Sequence, residues 1–310
     1  MNISVKDKFL PLLALPLLLS CEEKMTQGEI IQIGIATCRT IAPFVRSLDL
    51  DPKRSGFSSS ESNLKGVALV EFPADPADTL LKKTYQDPSW SQFGWMGGLT
   101  TDHQGNVYTA PVPHVSVNTP LSQLNRVYKI DAQTGKMDLA FELPAADTTQ
   151  GVVPYAILGV YFDCHGHKLY VSTVAGSTRE EEKGVIYVLD PENGKIVDEL
   201  KGIDAIGVFV GGITGEKRLF YGSARSSAVH SIELTKSGKF KGKPRFEFTL
   251  DQLGPRGDGK ARRMRLEPNG NMIVMGAEFN YSLAVQGHRI EEGYVFNYDR
   301  VTQKWNRLYP

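Results

Sequence analysis

The feature that most constrains this chain is a pattern that returns about every fifty to sixty residues from Val67 to Tyr309. Its first half is an apolar strand, a polar turn carrying Gly or Asn, and a second strand ending in small residues. It is clearest in residues 98–109, 159–173, 208–223 and 264–277. Its second half is another strand, an Asp- or Gly-bearing turn, and a fourth strand. It occurs in residues 67–85, 127–143, 185–200, 229–248 and 294–309. Within these segments polar and apolar residues alternate, as in Val127 to Asp131. The turns Asp131-Ala-Gln-Thr-Gly135 and Asp190-Pro-Glu-Asn-Gly194 pair an Asp that bonds local amides with a Gly that tolerates positive φ. Four antiparallel strands repeated at this spacing predict an all-β fold, a β-propeller of four-stranded blades. Five repeats are recognisable, and six blades remain open. No amphipathic helical pattern of useful length competes, and a β-sandwich does not account for five similar hairpins at long spacing.

The order of strand, D-x-x-G-N-x-Y-V and Y-x-x-D-x-x-T-G-K resembles the NHL, SMP-30/gluconolactonase and six-bladed TolB-like propellers. The likeness is carried by His103–Tyr108 with Tyr128–Lys136, and by Gly166–Val171 with Tyr187–Lys195. It extends over residues 30–310. It implies a ring of blades with a ligand site at the central funnel, and it leaves the activity open because such folds host many functions.

The first twenty-one residues form a separate unit. Lys6 and Lys8 precede an apolar run from Phe9 to Leu19, too short to span a bilayer and suited to a signal peptide. Leu18-Leu19-Ser20-Cys21 resembles the bacterial lipobox, which implies acylation of Cys21 and anchoring to membrane lipid. Glu22 and Glu23 follow; this acidic pair resembles the surface-export signal of Bacteroidetes lipoproteins, or is simply part of a solvated tether. The expected organisation is residues 1–21 as lipoprotein signal, 22–29 as tether and 30–310 as one propeller. The expected location is the cell envelope of a Gram-negative bacterium.

Equal numbers of basic and acidic residues, 35 each, exclude binding of nucleic acid by bulk charge. Cys38 and Cys164 are the other two cysteines. A disulfide is permitted in an oxidising envelope, but two buried free thiols are the expected state. Asp163-Cys164-His165-Gly166-His167 reads as a strand-to-strand turn, because His-Gly-His lacks a strong zinc spacing. Residues 51–63 read as a polar loop, while 29–38 and 44–48 can supply strands. One strand can close the ring by pairing with the opposite terminus.

The resemblance places ligand contacts on the loops at the funnel. Trp95 can stack on a planar ligand or plug the gap between blades. Arg262 and Arg263 can clamp a carboxylate or phosphate, or form surface ion pairs. His114, in a long loop, is a candidate base or a solvated side chain. The expected function is a lipid-anchored propeller that binds a small molecule, glycan or protein at its funnel, with no cofactor. The alternative is a metal-assisted hydrolase, a lactonase, in which a Ca or Zn ion is held by Asp204, Glu278 and Asn280. The lactonase family's own metal set does not map onto this chain residue by residue.

Overall fold

The computed structural model describes residues 38, 40–59, 64–75, 77–78, 83–112, 121–144, 155–213, 215–281 and 291–308. The lipobox with Cys21, the tether and His114 lie outside them. Among the described residues nineteen strands form five antiparallel sheets in chain order. The first blade is β1 (Ser55–Ser58), β2 (Ala68–Glu71) and β3 (Lys83–Tyr85). The second is β4 (Met96–Thr101), β5 (Val107–Pro111), β6 (Arg126–Ile130) and β7 (Met137–Glu142). The third is β8 (Ile157–Asp163), β9 (Lys168–Thr173), β10 (Val185–Asp190) and β11 (Lys195–Lys201). The fourth is β12 (Ala205–Ile213), β13 (Glu216–Ser223), β14 (Ala228–Leu234) and β15 (Phe240–Thr249). The fifth is β16 (Lys260–Leu266), β17 (Met272–Ala277), β18 (Glu292–Asp299) and β19 (Lys304–Leu308). One four-residue helix, α1 (Leu121–Leu124), precedes β6. The chain is a five-bladed β-propeller.

The apolar residues explain why the sheets stand as blades. A strand whose two faces are both apolar must be covered on both sides, and among the described residues each of the four gaps between sheets consecutive in the chain holds its own core. Trp90, Val107 and Met137 fill the gap between the first two blades, and Tyr108, Phe162 and Leu169 the next. Tyr170, Val208 and Leu219 fill the third gap, and Phe209, Phe248, Phe296 and Trp305 the fourth. Trp90 is fully buried, its indole N–H donating to the Gly135 carbonyl at 2.7 Å.

Antiparallel order puts the short hairpins of blades two to five at one end of the ring, the turn end. The longer connections lie at the other, the loop end. The hairpins are built as the sequence predicts. Asp102 accepts from the amides of Gln104 and Asn106, both at 2.9 Å, and Asp131 does the same for Gln133 and Thr134. Residues 164–167 form a turn, as expected.

The structure departs from the sequence-based expectation in two places before the second blade. Residues 55–58, expected in a polar loop, form β1. Residues 44–48, a candidate strand, lie largely in a 3₁₀ turn, Pro43–Ser47, because Pro43 fixes a helical φ at its first position. Every described sheet is built from consecutive strands, so no strand exchange between the termini closes the ring among the described residues.

At the loop end each inner strand of blades two to five carries a β-bulge at the corresponding place. The register skips Gly97 and Gly98 in β4, Leu158 in β8, Ile206 in β12 and Arg262 in β16. A bulge bends its strand and increases the local twist. It lets the inner strands converge until backbones nearly touch. A Cβ on Gly207 would stand 2.1 Å from the Arg262 carbonyl oxygen, and one on Gly159 would stand 3.2 Å from the Gly207 Cα. Only glycine fits at Gly207, and the obstruction is backbone that cannot rotate away. Gly207→Ala is expected to destabilise the fold by about 3 kcal/mol or more, since overpacking a fixed contact forces the backbone apart. Urea denaturation checks this. An unchanged midpoint contradicts the close approach.

Candidate functional site

Inside the ring lies a cavity of about 460 Å³. Blade one contributes Phe57 and Leu69, the inner strand of blade two Leu99 to Thr101, and the inner strand of blade three Val160 to Phe162. The wall is mainly aliphatic and aromatic, with a few hydroxyls. Thr100 Oγ1 accepts the Phe162 N–H at 2.9 Å, which ties β4 to β8. Tyr161 is partly buried, packed edge-on against Phe209 at 5.3 Å. Its hydroxyl has no hydrogen-bond partner among the described residues. Burial, with Asp163 nearby, pushes its pKa up, so the phenol stays a proton donor.

The chain itself closes the turn end of this cavity. Residues 38 and 40–47 run across it as a strap. The Thr40 hydroxyl donates to the His103 carbonyl at 2.9 Å, and the Phe44 N–H donates to the Ala132 carbonyl at 3.2 Å. Ala42 and Val45 are buried, and Ala42 passes so close to the second-blade turn that a Cβ on Gly105 would stand 2.9 Å from its Cα. The strap begins at a disulfide between Cys38 and Cys164, whose Cα atoms are 5.5 Å apart. This corrects the expectation of two free thiols. The bond joins positions 126 residues apart, from the strap to the turn of blade three. By the chain-entropy argument such a bridge stabilises by about 4–5 kcal/mol.

Other residues singled out in the sequence lie toward the loop end. Arg262 occupies the bulge position that Leu158 and Ile206 occupy in the neighbouring blades. Leu158 and Ile206 pack with Tyr155, Phe279 and Tyr281 in an apolar shelf. Arg262 and Arg263 are both exposed, and both pair with the single carboxylate of Glu291, Arg262 at 3.4 Å. Trp95 is half-buried just before β4, and its carbonyl accepts the Val112 N–H at 2.8 Å.

Asp204 is fully buried at the centre of a polar hub. Its carboxylate accepts from the Ser177 hydroxyl at 2.5 Å, the Gly184 N–H at 2.9 Å and the Tyr281 hydroxyl at 2.6 Å. It also pairs with Arg225 at 2.8 Å. The Arg225 guanidinium stacks over the Tyr281 ring at 5.1 Å. Burial, followed by the Asp204 contact, pushes the Tyr281 pKa up. Glu278 pairs with Arg256 at 3.2 Å, and Asn280 immediately precedes Tyr281. Both carboxylates of the candidate metal set therefore carry a guanidinium. The structure brings Asp204 to Tyr281 and Arg225, and Arg262 with Arg263 to Glu291. Sequence reasoning missed Tyr161, Arg225 and Tyr281. Arg225 lies between β13 and β14 and Tyr281 between β17 and β18, outside the repeated strand pattern, and Tyr161 sits inside an apolar strand where nothing distinguishes it from core.

The fold and cavity define a five-bladed propeller closed at one end by its own disulfide-tethered strap. No protein-family model matches the chain, and no curated protein is similar to it in sequence. Among solved structures, it is similar to a candidate 6-phosphogluconolactonase of Bacteroides fragilis. The identity is 12%, over 83% of this chain and 67% of that one, with a TM-score of 0.46. It is also similar to hydrazine synthase of Kuenenia stuttgartiensis, at 12% identity over 82% and 62% of the chains, with a TM-score of 0.45. An endo-arabinase of Bacteroides thetaiotaomicron is similar at 14% identity over 66% and 75%, with a TM-score of 0.38. The chain thus spans less than two thirds of the synthase's length. These likenesses carry no site residue across.

Proposed function

We propose that this protein is a lipid-anchored propeller of the bacterial cell envelope that binds a small, largely apolar molecule inside its ring. The observation that carries the reading is the cavity of about 460 Å³ walled by three blades and the strap. Its volume suits a small ligand, since such sites run about 300–1,000 Å³ and are mostly apolar with few polar groups. Tyr161 supplies a donor for a carbonyl or other acceptor on the ligand. At the loop end, two guanidinium groups share one carboxylate, so Arg262, Arg263 and Glu291 keep one net positive charge. That charge favours entry of a compound with an anionic group. The lipobox supports anchoring, with acylated Cys21 holding membrane lipid. The hydrolase alternative has less support, because a cation on Asp204 must displace Arg225 and its three hydrogen-bond donors.

N-phenyl-1-naphthylamine, an apolar fluorophore, tests the cavity on protein that begins after Cys21. Saturable binding at one site per chain is expected. Leu99→Trp, which fills the cavity, is expected to weaken it about tenfold or more, a loss of about 1.4 kcal/mol or greater. Binding that does not saturate, or that Leu99→Trp leaves unchanged in a folded variant, removes the cavity from the account. For the anchor, Cys21→Ser is expected to move the protein from the membrane to the soluble fraction and to abolish palmitate labelling. A variant that still labels and sediments with membranes contradicts lipidation.

A further inference from the structure

We infer that His103, His167 and Glu192 form a binding site for a divalent transition ion of the zinc type, at the seam between blades two and three. The three side chains come from three different turns. His103 lies in the β4–β5 turn, His167 in the β8–β9 turn and Glu192 in the β10–β11 turn. Each offers one ligand atom, and these atoms all lie within 4.8 Å of one another.

Two observations point to a ligand there. The His103 Nδ1 is buried without a hydrogen-bond partner among the described residues, an unfavourable state that a bound ion or water relieves. The His167 Nδ1 stands 3.6 Å from Glu192 Oε1, beyond hydrogen-bond distance, so neither group is satisfied by the other.

The surroundings suit a cation. Lys168 is matched by Asp190 at 3.3 Å, and Lys217 is matched by Asp163, so the neighbouring positive charges are already compensated. Two imidazoles and one carboxylate favour zinc, nickel or copper over calcium or magnesium, which prefer all-oxygen shells. A fourth position remains for water.

The two rings stack with centroids 4.0 Å apart and planes 11° apart. An imidazole donates to a metal through a lone pair in the ring plane, so parallel rings cannot both aim at one ion. Binding therefore tilts one ring. His103 is the fixed partner, because its backbone is bonded by the strap at Thr40. His167 and Glu192 are the movable ones, with side chains 44% and 59% exposed. His167 is also three residues from Cys164, so the ion would join blades two and three beside the disulfide.

The test uses untagged protein beginning after Cys21, oxidised and stripped with EDTA, titrated calorimetrically with zinc chloride and separately with magnesium chloride. One zinc per chain is expected, with no magnesium uptake and a rise in Tm with zinc concentration. Glu192→Gln, an exposed change, is expected to lower zinc affinity by at least the about 10–100-fold that loss of a supporting partner costs. His167→Ala is expected to abolish the zinc-dependent Tm shift. No zinc uptake by the parent protein overturns the site. Full zinc affinity in both variants overturns this assignment of ligands. Should His167→Ala fail to fold, Glu192→Gln decides alone.

Discussion

The whole ring depends on how closely the inner strands approach at the loop end. The backbones of Gly159, Gly207 and Arg262 come almost into contact there, and each strand manages it with a bulge. A Cβ in that position would push blades apart. Splayed blades would open the radial cores, where Phe209, Phe220 and Phe248 meet Trp305. The bulge position itself is then free to vary. It holds Leu158 and Ile206 in two blades and Arg262 in a third, which gives the loop end an apolar side and a charged side.

The turn end is closed by different means. The strap lends Ala42, Val45, Ile41 and Phe44 to the core between blades one and two, and it is held by the Thr40 hydroxyl on the His103 carbonyl, the Phe44 N–H on the Ala132 carbonyl and the Cys38–Cys164 bridge. Because the strap forms one wall of the cavity, the disulfide links covalent chemistry to access. The hub at Asp204 does comparable work at the loop end. One buried carboxylate gathers Ser177, Gly184, Arg225 and Tyr281 from connections in three blades. Removing one partner of such a pair costs about 3–5 kcal/mol, because a buried charge is left uncompensated.

Much of the fold was legible in the sequence because its signals are local. Asp131 and Gly135 belong to one hairpin, and alternation along residues 185–200 lies within one pair of strands. Five repeats became five blades. The first blade was harder to read, since Ser55–Ser58 carries a single large apolar side chain, Phe57, between serines and a glycine, and its partner β2 supplies the pairing. The site was less legible because its contacts join distant segments. Nothing near Cys38 indicates Cys164, and nothing near Arg262 indicates that Glu291 will take its charge. Asp204 was legible as a candidate oxygen ligand, but Arg225 and Tyr281 meet it only when blades three, four and five converge. His103 and Glu192 are likewise brought to His167 by the packing of turns.

The central claim is that the space beneath the strap receives a ligand. A crystal structure of the oxidised protein soaked with N-phenyl-1-naphthylamine tests it most directly. The account predicts density for the probe among Phe57, Leu99 and Val160, with Cys38 and Cys164 still bonded. A cavity filled by the protein's own side chains, or probe density confined to the outer surface, would contradict it.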